Sequence, residues 1–401
     1  MPKPEQKENA MKYKLAYTGL ILLIYIIGKC IPLYGIDLSD RTYQAISAEE
    51  VLIQAISGDA YRTSVFTLGI FPFMISSILV QVAFAFRNLF SKSRVSPKAM
   101  SHAMVRVTLA IAVMQAFAQL PQLKFAVPEG ELPYAKAIVM VEMITGVMVI
   151  LWLSNRNGKY GVGGRMIVGL INILERITST IANHSIESLA IPIAISLAVM
   201  VVTLVMENAE LRINVQRVSI HNVYADKNYM AIKLNPVGVM PVMFSTAVFL
   251  LPRLLVSLLG YIFPQSAALA WWQENMALTR PAGIAVYIAC EYLLTIGFAL
   301  LMLSPKDLTE QFQKSGDSIK NLHAGRDTKR YLRKVMWSIS LVSATIMGVC
   351  ILVPLLLQLE GNIDSTLTML PSSVMMMSSF WCTIYRELVS IHKYNACHPL
   401  F

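Results

Sequence analysis

Charge is what this sequence has least of. Only 14% of its 401 residues are Asp, Glu, Lys or Arg, where a soluble chain carries about 25%. Disorder is excluded as well, because 55% of the residues are hydrophobic. Five cysteines cannot build a disulfide scaffold in a chain this long. Cys397 beside His398 falls far short of the four ligands a zinc site needs. Twenty glycines without a period exclude a collagenous fibre. The sequence holds no HExxH, no GxSxG and no P-loop, and its six histidines show no metal spacing. No enzymatic activity, cofactor or metal is therefore expected, and any driving energy has to come from a partner or a gradient.

What is abundant is apolar sequence. A spanning helix takes about 20 mostly apolar residues. The run Leu15–Ile27 follows a basic N-terminal stretch and is read as a retained first span, since no small-residue cleavage pattern follows it. Nine further spans are predicted near 64–86, 103–121, 134–153, 164–182, 186–206, 238–260, 281–303, 333–357 and 367–389. Trp271 and Trp272 stand between the seventh and eighth, as interface aromatics do.

The basic residues orient this array. With the N-terminus inside, 26 of the 34 Lys and Arg residues fall in inside segments. That bias places both termini in the cytoplasm of a multi-pass plasma-membrane protein. It also accounts for the net charge of +10 without a nucleic-acid partner. Two inside loops are long, near 207–237 and 304–332. They are either solvated linkers or a docking surface for a cytosolic partner. The sixth span opens a second set of five, inverted relative to the first, which divides the chain at 1–183 and 184–401.

Three spans are unsuited to lipid on all sides. The second carries Gly69, Pro72, Ser76, Ser77 and Gln81. The fifth carries Asn172, Glu175 and Arg176, and the seventh begins with two prolines and reaches Ser245 and Thr246. Polar groups in hydrocarbon face the bundle interior or water, so three such helices point to an aqueous path. The GVGG run at 161–164 reads better as a helix-starting turn than as a phosphate cradle.

These segments carry a family resemblance. SVFTLGIFPFMISSILVQ, residues 64–81, resembles the second span of SecY, the channel subunit of the Sec protein translocase. LNPVGVMPVMF resembles the start of its seventh span. LSPKDLTEQFQKSGDSIKNLHAGRDTKRYLRKV resembles its loop between spans eight and nine, and IPLYGID its segment after span one. The elements occur in family order over nearly the whole chain.

The resemblance implies an all-α membrane protein, with ten transmembrane helices in two pseudo-symmetric halves around an hourglass pore. It implies a plug helix near Val51–Tyr61. It implies an apolar waist of Ile70, Met74, Met166, Leu170 and Met243, with a residue of span ten between Ser372 and Met376. A lateral gate would carry Gln81, Gln115, Ser245 and Thr246. An apolar constriction shuts by dewetting, and unbranched methionine closes around many side-chain shapes. The implied partners are a motor ATPase of the Sec pathway, small Sec or accessory Sec subunits, the secreted polypeptide and membrane lipids. Arg212, Lys314, Lys320, His323, Arg326, Lys329 and Arg330 would carry the docking loops. There the chain departs from the family: His323 stands in place of an arginine, and the prolines on either side are absent. A histidine mostly neutral at pH 7 does not replace a fixed forked cation. This altered loop and a short tail resemble the accessory SecY of Gram-positive bacteria, which exports serine-rich glycosylated adhesins with a dedicated motor. A housekeeping SecY channel is the alternative. A secondary small-solute transporter is another, although the spacing of its candidate carboxylates within spans, Glu142, Glu175 and Glu291, makes no site.

Overall fold

The computed structural model describes residues 4–36, 64–90, 96–128, 130–165, 167–217, 229–236, 275–302, 305–319, 325–361 and 363–396. It also describes residues 238, 240–242, 244–245, 248–249, 252, 256, 259, 271–272 and 322. The plug segment Val51–Tyr61 lies outside them.

Six described helices are long and apolar enough to cross a membrane. They lie in α1 (Pro4–Cys30), α3 (Pro97–Gln119), α4 (Leu132–Tyr160), α6 (Ile186–Asn208), α7 (Pro281–Met302) and α9 (Arg326–Leu359). Three other helices fit between them: α2 (Phe71–Phe90), α5 (Ile167–Ala182) and α10 (Leu370–Ala396). These three fall short of a lipid-facing span for different reasons. The apolar part of α2 is short, α5 has 16 residues, and α10 is rich in serine. They are nonetheless packed inside. From Phe66 to Ile78 every residue of the second segment is buried, and so is nearly every residue of Leu370–Phe380.

Serine and threonine stay inside these helices because their hydroxyls donate back to carbonyls of the preceding turn. Ser196 bonds the Pro192 carbonyl at 2.6 Å, Thr203 that of Val199 at 2.7 Å and Ser340 that of Met336 at 2.6 Å. Gly146 on α4 lets Val65 approach, since a Cβ there would fall on the Val65 carbonyl oxygen.

The predicted span limits shift in one informative place. The second span was expected from residue 64, but the helix begins at Phe71. Residues 64–70 form turns, with Gly69 at φ 56° and the Thr67 hydroxyl bonded to the Ser64 carbonyl at 2.6 Å. Pro72 sits in the first helical turn, where its missing N–H costs nothing.

The two long polar loops fold together. β1 (Glu210–Arg217) pairs antiparallel with β2 (Tyr229–Lys233) and, on its other edge, with β3 (Asp317–Ile319). Helix α8 (Pro305–Ser315) precedes β3. Ile213, Ile232 and Ile319 form a small core with Leu332 and Ile339 of α9. The sheet therefore caps one end of the helical bundle.

Candidate pore and docking face

The site is built from the interior helices. Ile70 and Met74 are both buried, and the Met74 N–H donates to the Ile70 carbonyl at 3.0 Å. They belong to one contiguous apolar cluster with Val168 of α5, Val242 and Phe244 of the seventh span, and Met375 and Met376 of α10. Leu170 packs against that cluster. Met166 and Met243 lie outside the described residues, but their neighbours Ile167, Val242 and Phe244 are buried. Four segments thus contribute to this cluster, which also takes in side chains of α1, α3, α4, α6, α7 and α9. Met375 and Met376 fall in the window expected of span ten.

Two of the predicted gate residues bond within their own segments. The Gln81 amide donates to the Ser77 hydroxyl one turn back at 2.9 Å, and the Ser245 hydroxyl to the Val242 carbonyl at 2.9 Å. Each of these bonds stays within its own helix. Gln115 is buried on α3, and its side-chain carbonyl has no hydrogen-bond partner among the described residues. Among the described residues, α2 and α3 are linked by the Ser76 and Thr108 hydroxyls at 2.6 Å. Thr246 lies outside the described residues.

The predicted docking cations gather around the sheet. Arg212 is exposed on β1, with its guanidinium 4.8 Å from the Tyr229 ring. Lys314 is exposed in the last turn of α8, three residues before β3. Arg326 and Arg330 are exposed and Lys329 half-buried in the first turns of α9. Lys320 and His323 lie outside the described residues.

A buried polar cluster at the sheet end of the bundle escaped the sequence reading. Glu207, in the last turn of α6, is 3% exposed. One carboxylate oxygen accepts from the Ser379 hydroxyl at 2.7 Å, the other from Arg386 Nη1 at 3.2 Å. Arg386 Nη2 also donates to the Glu207 carbonyl and to Asn208. The next residue reaches elsewhere: Glu387 accepts from the Gly163 N–H at 2.8 Å. Gly163 is in the left-handed region at φ 79°, where a side chain would be strained. The same turn is held by the Thr18 hydroxyl of α1, 2.8 Å from the Val162 N–H, and by the Asn157 amide, which donates to the Val162 and Gly164 carbonyls. The GVGG run is thus a helix-starting turn whose free N–H is filled by the chain's own carboxylate. Adjacent residues of α10 tie that helix to α6 and to the α4–α5 turn. The available sequence signal was an acid ending a long apolar run, which is costly in hydrocarbon unless paired.

At the opposite face, His184 stands between α5 and α6. Its Nδ1 lies 2.8 Å from the Thr180 carbonyl and its Nε2 3.0 Å from the Thr366 hydroxyl. A carbonyl only accepts, so the first bond places a hydrogen on Nδ1. Span one is fastened to span five by the Tyr25 hydroxyl, 2.7 Å from Asn172, and by a Lys29–Glu175 ion pair.

This architecture has known counterparts. The chain superposes with a TM-score of 0.71 on a solved protein conducting channel, at 17% identity over 98% of this chain and 95% of the other. The match to Sec61 in a canine ribosome–channel complex from the endoplasmic reticulum has a TM-score of 0.65, also at 17% identity, over 98% and 95%. Among curated proteins, a Leuconostoc gelidum subsp. gasicomitatum chain named accessory Sec system protein translocase subunit SecY2 is 25% identical over 97% of this chain and 96% of its own. Its namesakes from Streptococcus salivarius and Streptococcus pneumoniae are 27% and 26% identical, over 97% and 96% of both chains. A profile of the SecY family matches residues 64–381, so the mainly helical, multi-pass membrane chain described above belongs to the SecY family.

Proposed function

We propose that this chain is the protein-conducting channel of an accessory Sec system in the plasma membrane, passing unfolded or glycosylated polypeptides driven by a dedicated motor ATPase. The observation that carries the reading is the set of helices that fail as lipid spans. Of the helices expected to bear the waist, α2, α5 and α10 are not among those long and apolar enough to cross a membrane, and all three contribute to the large interior cluster that includes Met74. A helix that faces a closed apolar throat and neighbouring protein does not need a lipid-compatible surface. The relatives named SecY2 support the accessory assignment.

In this reading ten spans form two halves, 1–183 and 184–401, with both termini and the sheet in the cytoplasm. Ile70, Met74, Met166, Leu170 and Met243 line the waist together with Met375 or Met376 of α10. Gln81, Gln115, Ser245 and Thr246 border the lateral gate, and residues 51–61 plug the outer funnel. The motor meets the sheet face through Arg212, Lys314, Lys320, His323, Arg326, Lys329 and Arg330. Small accessory subunits complete the complex.

Deleting the gene tests the assignment. Loss of one class of serine-rich surface glycoprotein from viable cells is the expected result. Loss of viability would mean a housekeeping channel, and loss of uptake of a small solute would mean a transporter. Affinity purification in mild detergent should recover a motor ATPase with the chain.

A further inference from the structure

The sheet and two of the helices expected at the waist meet at one buried carboxylate. β1 begins at Glu210, three residues after Glu207, and the base of its hairpin is closed by the Leu234 N–H on the Ala209 carbonyl at 2.9 Å. The chain then passes directly into the seventh span. There Asn235, 2% exposed, holds the first turn: its amide donates to the Gly238 carbonyl and its oxygen accepts from the Gly238 N–H, each at 3.1 Å. The Ser343 hydroxyl of α9 reaches the same oxygen at 3.4 Å. Gly238 is in the left-handed region at φ 69°, and a Cβ there would lie 3.4 Å from Glu207 Oε1 and 3.7 Å from Ser379 Oγ.

Three elements therefore close on one oxygen atom. α6 carries it, Ser379 of α10 donates to it at 2.7 Å, and the seventh span rests its first turn against it. Ser379 lies one turn from Met375 and Met376 on the same side of α10. Met243 stands five residues beyond Gly238. The sheet is thus joined through Glu207 to the turns that lead into the waist from two sides. The Arg386 side chain is 30% exposed, so a small shift gives its guanidinium to water. Glu207 is 4% exposed and needs partners wherever it sits, so it changes them only if α6 moves against α10.

We propose that Glu207 is a positioning residue that couples the sheet to the waist. With the sheet free, its carboxylate holds α10 and the seventh span in the closed arrangement. A partner that takes hold of the sheet shifts the end of α6 and releases both. This deepens the channel reading and rests on it. Coupling between two sites is reciprocal, so opening the waist loosens the sheet, and the test needs no motor.

The full chain with Met74→Ser, which hydrates the waist, is compared with the unaltered protein in proteoliposomes. Ion leak reads the waist, and amide hydrogen exchange of Glu210–Asn214 and Tyr229–Lys233 reads the sheet. Leak should rise, and strand exchange should rise about fivefold or more, the lower end of a typical coupling. In a Ser379→Ala background, Met74→Ser should still raise the leak but change strand exchange by less than about twofold. Glu207→Gln keeps an acceptor for Ser379 and should keep about half of the response or more. A bond that only supports the fold would instead let Ser379→Ala raise exchange alike with and without Met74→Ser. Unchanged amides in α4 report that the variants are folded. Strand exchange unmoved by Met74→Ser while leak rises, or an equal rise in the Ser379→Ala background, would overturn the proposal and leave the channel reading standing. A leak unmoved by Met74→Ser would overturn the reading of the waist, and the proposal with it.

Discussion

Replacing Arg386 by alanine should destabilise the sheet end of the bundle by about 2–3 kcal/mol. Removing one partner of a buried ion pair costs about 3–5 kcal/mol, because the other charge is left uncompensated. Two features of this site lower that figure. The Arg386 side chain is 30% exposed, so water already screens part of the pair, while that of Glu207 is only 4% exposed. Glu207 also keeps the Ser379 hydroxyl as a donor. The decisive control is Glu207→Gln in the Arg386→Ala background. It removes the orphaned charge while keeping an oxygen for Ser379, and should recover about 1–2 kcal/mol. Unfolding in mixed micelles, followed by tryptophan fluorescence, measures both. A loss under about 0.5 kcal/mol for Arg386→Ala, or no recovery with Glu207→Gln, would refute the idea that this buried carboxylate depends on its arginine.

Glu387→Ala frees the Gly163 N–H and unfastens α10 from the α4–α5 turn; the resting ion leak of proteoliposomes should rise several-fold, with Glu387→Gln milder because it keeps an acceptor oxygen. Gly146→Ala drives a Cβ into the Val65 carbonyl oxygen, an atom of the backbone that cannot swing away, so it should lower thermal stability by at least about 2 kcal/mol. Cysteine at Ile70 or Met74 should crosslink to a polypeptide stalled in transit, whereas cysteine at the exposed Leu79 of the same helix should not; the reverse pattern would remove α2 from the pore. His323→Arg restores the family's cation in the docking loop and should change the stimulation of the partner ATPase, with unchanged coupling arguing against a contact there.

Hydropathy read the lipid-facing helices well because burying apolar surface in a bilayer is a local property of about 20 consecutive residues. The same reasoning misplaced the start of α2, because Gly69 and the Thr67 turn extend an apolar string that is not yet helix. Gln81 and Ser245 were recognised as polar residues in spans, yet polarity does not say whether a side chain bonds its own helix or reaches across a gate. The resemblance implies that Ile70, Met74 and Leu170 share a waist; Ile70 and Met74 belong to the large interior apolar cluster and Leu170 packs against it, as do side chains of nearly every long helix.

The chain's membrane character, its spans and the charge asymmetry of its loops follow from composition and order alone, since each depends on how a short segment partitions between water and hydrocarbon. Only the tertiary structure decided that residues 210–217 and 317–319 share a sheet, and that Glu207 meets an arginine 179 positions away. Strand partners and buried ion pairs are choices among many chemically equivalent groups, and the choice is made by which helices the fold sets side by side.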